Sequence, residues 1–390
     1  MTSPVVTFFS EARLVRSGAQ CLSTNKDLAG TGWTRGLLGV PGLRLAARVR
    51  DDEGQPAGDL WALDGSVAPL PYYVGARGTI LALPRLAQAT HRAVRESDVV
   101  VARAPGVIGL MAAVMATVHR TPLATEVVGD IEDVLLAGIA GAPGRRMAPI
   151  AGWVTRRAVG RSRAARYVTQ HTLQHRYPAR RGAPTVGFSS IVLPADWLGA
   201  PCGPQSPVPT ILAIGSQEQD YKGHDLLIRA LLRLRASSPD LELVLVGEGR
   251  RQAYLRDLAD ELGVADRVTF AGYVADRAAL RELVDRAWVF AMPSRTEGLP
   301  RALVEAMARS RACVGASVGG IPELIEARWQ TPVDDVDALV ERISTLLADE
   351  GLREDTGRRN AEVASAYQVE SIEGARQQWV RMVTALIPRR

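Results

Sequence analysis

The feature that most constrains this 390-residue chain is an alternation of apolar runs with helical patterns between residues 210 and 325. Residues 210–214, 241–246, 267–271, 288–292 and 312–316 read as buried strands. Residues 224–235, 250–262, 277–287, 299–309 and 321–325 read as the helices between them. Apolar runs of this kind mark strands covered on both faces, and a helix after each strand makes the sheet parallel, because parallel neighbours need a long crossover. In such a doubly wound unit, ligands bind just beyond the carboxyl ends of the strands. The loops that follow the strands are therefore the places to look for chemistry.

The N-terminal half is less regular. Residues 5–9, 43–49, 98–102 and 123–128 read as strands, and 84–95 and 108–119 as helices; Phe8 and Phe9 close the first strand and read as core. Residues 193–209 carry Pro194, Pro201, Pro204, Pro207 and Pro209, a composition suited to a linker. Residues 367–386 form one further helical pattern. The expected division is 1–198, 199–366, and a terminal helix, 367–390, that packs back toward the first domain. The length is comfortable for two cores.

Composition removes several classes. Hydrophobic residues make up 47% and charged residues 23%, which argues against disorder. Aromatic residues are only 5%, too few for base-stacking platforms, so no nucleic-acid partner is expected despite the net charge of +5. Cys21, Cys202 and Cys313 are widely spaced and odd in number, which fits a reducing compartment. No leader pattern is visible, and the longest apolar stretch, 107–118, is too short to span a bilayer. The expectation is a cytoplasmic protein, soluble or peripheral on the inner face of a membrane. Among 47 basic residues only Lys26 and Lys222 are lysines. A lysine kept in an arginine-rich background is informative, because a compact ammonium and a planar fork differ at a phosphate.

The densest chemical signal is Met292-Pro293-Ser294-Arg295-Thr296-Glu297-Gly298-Leu299-Pro300, followed by a helical run that contains Glu305. A strand ends, a glycine turn follows, and Pro300 suits the first helical turn. The amides of Gly298 and Leu299 would then form an anion site at a helix N-terminus. Glu305, among apolar residues, needs a partner. A ribose diol would satisfy it, and so would a neighbouring arginine. Gly215-Ser216 and Tyr221-Lys222-Gly223 follow the first strand of the same unit. Phe270-x-Gly272-Tyr273-Val274 and Gly319-Gly320-Ile321-Pro322-Glu323 supply two more edge loops.

This set, with Gly247-Glu248-Gly249, resembles glycosyltransferase family 4 over roughly residues 208–345. The resemblance implies the GT-B fold: an α/β chain of two Rossmann-like doubly wound domains facing across a cleft. It implies a retaining, nucleotide-sugar-dependent transferase, hexosyl in type, serving biosynthesis of a glycosylated metabolite, a glycolipid or a cell-surface polysaccharide. By the same resemblance Lys222 contacts the donor diphosphate, Glu297 lies by the donor sugar, Glu305 binds the ribose, and Tyr273 and Val274 border the base. Gly215, Ser216, Gly298, Leu299 and Arg301 complete the expected donor site. Three departures stand out. Ser216 occupies a position where the family often has arginine, Ser310-Arg311-Ala312 replaces a Gly-x-Pro, and the loop after Glu323 is shortened to residues 327–332. In the first half the only glycine-rich loop is 28–32, and no histidine closes the strand at 123–128. Asp130 is the polar group best placed there, as a catalytic residue or as a turn or capping aspartate.

Asp335 and Asp337 read as a helix cap and His171 with His175 as solvated histidines, so neither an essential metal nor another cofactor is expected. Residues 145–181 hold ten arginines and no acidic residue, with Ile150, Trp153, Val154, Ala158 and Val159 on one stripe. Such a segment is either an ordinary surface helix or a contact with an anionic membrane. The expected partners are a nucleotide-sugar donor and a small or lipid-linked saccharide acceptor. A sugar-nucleotide epimerase acting through Asp130 or Glu126, a basic nucleic-acid-binding protein and a non-catalytic relative are the rival readings.

Overall fold

The computed structural model describes residues 3–23, 36–37, 39–51, 60–138, 141–189, 191–199 and 203–388. Lys26, the 28–32 loop and Cys202 lie outside the described residues. The chain forms two compact units. The first comprises Met1–Ile131, Pro149–Ser190 and Glu373–Arg390, and the second Glu132–Ala148 and Ile191–Ile372. The division therefore falls near residue 190 rather than 198, and the expected linker is not one. Leu193 and Trp197 are buried in the core of the second unit, and the Leu193 amide donates to the Tyr367 carbonyl at 2.9 Å. Trp288 Nε1 likewise donates to the Ser206 carbonyl at 2.9 Å. In the described parts of this segment, Pro194, Pro204, Pro207 and Pro209 stiffen a strap that packs along this unit.

In chain order the first unit and its junction run β1 (Val6–Ser17), β2 (Gln20–Ser23), β3 (Leu43–Asp51), β4 (Trp61–Ala62), β5 (Ser66–Pro71), α1 (Gly75–Arg95), β6 (Val99–Ala104), α2 (Val107–His119), β7 (Leu123–Val127), α3 (Ile131–Leu136), α4 (Gly141–Val159), β8 (Ala164–Tyr167), α5 (Thr172–Arg176) and β9 (Thr185–Gly187). Parallel pairing gives the order β5-β3-β1-β6-β7-β8-β9. β2 adds antiparallel to the far end of β1, and β4 to β2. Phe9, Val100 and Ala102 pack in one cluster with Leu86 of α1, Ile108 and Ala112 of α2 and Ala158 of α4. Phe8 and Phe9 are buried, as their place in the first strand suggests. α1 starts at Gly75, well before the expected residue 84, and takes Pro84 into its interior on the exposed side.

The second unit continues β10 (Thr210–Ile214), α6 (His224–Leu234), β11 (Glu242–Val246), α7 (Gln252–Glu261), β12 (Val268–Gly272), α8 (Arg277–Arg286), β13 (Val289–Met292), α9 (Arg301–Ala308), β14 (Ala312–Ala316), α10 (Ile321–Leu324), β15 (Gln330–Thr331), α11 (Val336–Ala348) and α12 (Glu350–Ala364). α13 (Val369–Thr384) follows; from Glu373 onward it counts with the first unit. The six strands are parallel in the order β12-β11-β10-β13-β14-β15. Progression from β10 runs toward one edge and from β13 toward the other. The topological switch point therefore lies between β10 and β13, the place beyond the carboxyl ends where ligands bind in open sheets of this kind.

Candidate functional site

Two loops leave the switch point, one after β10 and one after β13. Gly223 caps α6 with φ of 70°, and a Cβ there would lie 2.2 Å from the Pro293 carbonyl oxygen. The loops thus meet backbone to backbone, which only glycine allows. The Arg295 amide donates to the Tyr221 carbonyl at 2.7 Å. The Arg295 guanidinium grips both carboxylate oxygens of Asp225, at 3.0 and 2.9 Å, and reaches Asp334 at 2.6 Å. A planar fork suits this bidentate clamp. Arg295 lies inside the quoted motif, but its partner is 70 residues away, so local sequence does not reveal the clamp.

Lys222 and Glu297 face each other across this junction. Lys222 Nζ donates to Glu297 Oε1 at 2.7 Å, and the two side chains are only 16% and 8% exposed. The lysine stem lies across Gly215, where a Cβ would approach its Cγ, Cδ and Cε within 2.9–3.2 Å. A third loop holds the glutamate from behind. Gly319 has φ of 53°, a Cβ there would sit 2.2 Å from the Glu297 carbonyl oxygen, and the Gly320 amide donates to the Gly298 carbonyl at 2.6 Å. Three of the loops flagged in the sequence therefore converge on one ion pair.

The helix start differs from expectation. α9 begins at Arg301, and Pro300 is its N-cap residue, with φ of −79° and ψ of 117°. Gly298 and Leu299 belong to the turn before the helix. The amides without an intrahelical partner at an N-terminus are those of the first helical residues, here Arg301 onward. Arg301 itself is exposed. Glu305 lies on the inward side of α9, buried, with Arg277 3.7 Å away. Burial raises its pKa, against the charges of Arg301 and Arg277. The salt-bridged alternative is thus met only by a long contact. Tyr273 is exposed and Val274 half-buried after β12. Ser216 accepts from the Glu218 amide at 3.2 Å, a local turn bond. Gln217 and Ser294, neither of them among the expected donor-site residues, are fully buried beside the ends of β10 and β13, and their side-chain polar atoms have no hydrogen-bond partner. Buried groups of this kind are uncommon in folded proteins.

Beside Lys222, His224 is buried, and its pKa is depressed to about 4 by burial and then by the Lys222 charge, against Asp225. A concavity of about 580 Å³ is lined in part by Asp220, Asp225, Arg251, Arg295 and Asp334. It takes in none of Lys222, Glu297 and Glu305, and five of its charged residues are paired with one another as Asp225–Arg295–Asp334 and Arg251–Asp220. It is not the candidate site.

Asp130 belongs to the first unit and is buried, accepting from the Tyr177 hydroxyl at 2.5 Å through Oδ1 and pairing with Arg176 through Oδ2. Glu126 is held between Arg103, at 2.7 Å, and Arg166. Asp335 Oδ1 accepts from the Ala338 amide at 2.9 Å and caps α11. His175 Nδ1 lies 2.9 Å from the His171 carbonyl.

The two parallel sheets, the second with its switch-point site, have the GT-B architecture, and the second unit carries a glycosyltransferase domain. Residues 208–349 match the family Glycosyl transferases group 1. Protein CapJ of Staphylococcus aureus is 25% identical over 342 residues, 87% of this chain and 86% of that one. The GDP-mannose-dependent alpha-(1-6)-phosphatidylinositol monomannoside mannosyltransferase of Mycolicibacterium smegmatis is 40% identical over 139 residues, which is 33% of this chain and 36% of that one. Among solved structures, sucrose-phosphate synthase from Thermosynechococcus elongatus superposes with a TM-score of 0.69 at 17% identity, covering 98% and 99% of the two chains. Anabaena HepE, solved with UDP and glucose, gives 0.64 at 18%, covering 97% and 99%. No helix of the described residues is long and apolar enough to cross a membrane.

Proposed function

We propose that this chain moves a sugar from a nucleoside-diphosphate sugar to an acceptor hydroxyl with retention of anomeric configuration, as a member of glycosyltransferase family 4. The observation that carries the reading is the Lys222–Glu297 pair at the switch point, with Glu305 on the adjoining helix. The diphosphate takes the Lys222 ammonium and the amides at the start of α9. Positive charge at that point stabilises the leaving group as the glycosidic bond breaks, where preorganised electrostatics count most. Glu297, released from Lys222, faces the donor sugar. Glu305, hard to ionise in its burial, gains hydroxyl donors from the ribose. Tyr273 and Val274 border the base. Asp130 takes no proton-transfer role in this reading, because both its oxygens are engaged. The reading invokes no metal.

The names of the relatives supply the donor panel: GDP-mannose and UDP-glucose head a set of UDP- and GDP-sugars. The test is transfer to saccharide and lipid-linked saccharide acceptors in the presence of excess chelator, with the anomeric configuration of the product read by NMR. A retained anomer formed under chelation supports the reading. An inverted anomer, a requirement for added divalent metal, or a changed sugar nucleotide without acceptor would each overturn it.

A further inference from the structure

One face of the first unit is unlike the rest of the molecule. The crossovers β5–α1–β6, β6–α2–β7 and β7–α4–β8 are of the kind that lies on one side of a sheet, and the shared cluster of Leu86, Ala112 and Ala158 places the three helices there together. Neither α1, α2 nor α4 contains a single Asp or Glu. α2 is apolar all round, a pattern expected of a helix with no solvent face. Yet Val114 and Val118 point outward, Val118 73% exposed, and on α4 Ile150 and Trp153 do the same, Trp153 62% exposed. Where α2 and α4 end, a concavity of about 410 Å³ is lined by Arg120, Arg161, Arg163 and Arg180 with Thr117 and Thr121. It sits at the amino ends of β7 and β8, the opposite edge of the sheet from the ligand-binding ends. Arg120, Arg163 and Arg180 have no acidic partner among the described residues.

We infer that this face docks on the surface of an anionic lipid bilayer, with Val114, Val118, Ile150 and Trp153 in the headgroup boundary and the four arginines on lipid phosphates. The combination selects the partner. A nucleic acid would engage the arginines but leave the valines and Ile150 in water. A second copy packed face to face would set one arginine cluster against another. A bilayer interface accepts both halves of the surface, apolar side chains and an interfacial Trp below, and cations at the phosphates above. The docking lies outside the donor site, and its assay contains no sugar nucleotide, so its outcome is independent of the transferase reading.

The experiment is co-sedimentation of the full chain with vesicles of phosphatidylcholine alone and of equimolar phosphatidylcholine and phosphatidylglycerol. Binding to the anionic vesicles at least about tenfold tighter than to the neutral ones, weakening with salt, is expected. At about fivefold per arginine, Arg120→Ala/Arg163→Ala/Arg180→Ala should lose about a hundredfold. Val118→Ser/Trp153→Ser should lose about tenfold or more with the arginines intact. All these residues are exposed, and circular dichroism confirms that the variants fold. Absence of binding, equal binding to both vesicles, or binding unchanged in either variant overturns the inference. Duplex DNA bound more tightly than vesicles with the same arginine dependence, or a dimer abolished by Val118→Ser, reassigns the face and overturns it as well.

Discussion

Lys222 offers the sharpest perturbation, because it has a structural and a chemical consequence that can be separated. At 2.7 Å from Glu297 the gross attraction is about 6 kcal/mol at an effective dielectric of about 20. Desolvation of two largely buried groups offsets most of it, so the pair itself contributes little net stability. Removing one partner is different. Lys222→Ala leaves the Glu297 carboxylate, 8% exposed, without compensation, at a cost of up to about 3 kcal/mol. It also removes one preorganised charge from the leaving group, about 2–4 kcal/mol of transition-state stabilisation. That corresponds to a loss of about thirtyfold to a thousandfold in kcat/KM. The two effects part in the double variant. Lys222→Ala/Glu297→Ala should recover more than half of the lost stability in urea unfolding, since no charge is left unpaired, but none of the rate. Lys222→Arg should also lose activity, because the longer planar fork cannot occupy the space over Gly215. A folded Lys222→Ala enzyme within about threefold of wild type, or a double variant with restored transfer, would refute the reasoning.

Three further outcomes follow from the same geometry. Glu305 has its pKa raised by burial, so the folded state holds the proton more tightly and stability falls as pH rises from its ordinary 4.5 through the raised value. Glu305→Gln should therefore raise Tm at neutral pH while weakening nucleotide binding; a lower Tm would contradict the account. His224 behaves in the opposite sense, with a folded pKa of about 4 against an ordinary 6.5, so stability is full above that ordinary value and declines as pH falls toward about 4. His224→Gln should flatten that slope, and Lys222→Ala should raise the His224 pKa in an NMR titration. Gly319→Ala would force a Cβ against the Glu297 carbonyl at a positive φ, and should cost about 1–3 kcal/mol in stability together with turnover; wild-type Tm and kcat would show that the loop can yield.

The strands of the second unit were legible to within a residue or two, because β13 and β14 are apolar and buried throughout and β10 and β11 are apolar after Thr210 and Glu242. The first unit was not. β1 extends to Ser17 through Glu11, Arg13 and Arg16, and β2 and β4 are too short and polar to show a pattern. α4 carries Pro149 in its interior, a residue that ordinarily disfavours a helix, and burial of Ala158 and Val159 holds the helix together. At the site, each loop was visible but their union was not. Lys222 and Glu297 are 75 residues apart, and only the adjacency of β10 and β13 brings them together. The prolines of 193–209 suggested a free linker, because composition does not reveal that Leu193 and Trp197 bury themselves. Pro300 fits the first helical turn equally well as a cap, and local sequence does not separate the two.

The central claim is that the switch point between β10 and β13 holds a nucleoside diphosphate through Lys222 and Glu305. Calorimetric titration of GDP and UDP into the wild type and into Lys222→Ala and Glu305→Gln tests it most directly. One of the two nucleotides should bind at a single site, and each substitution should weaken it by about tenfold or more, the scale of one lost charge-assisted contact. Binding of equal strength in all three proteins would place the nucleotide elsewhere and contradict the account.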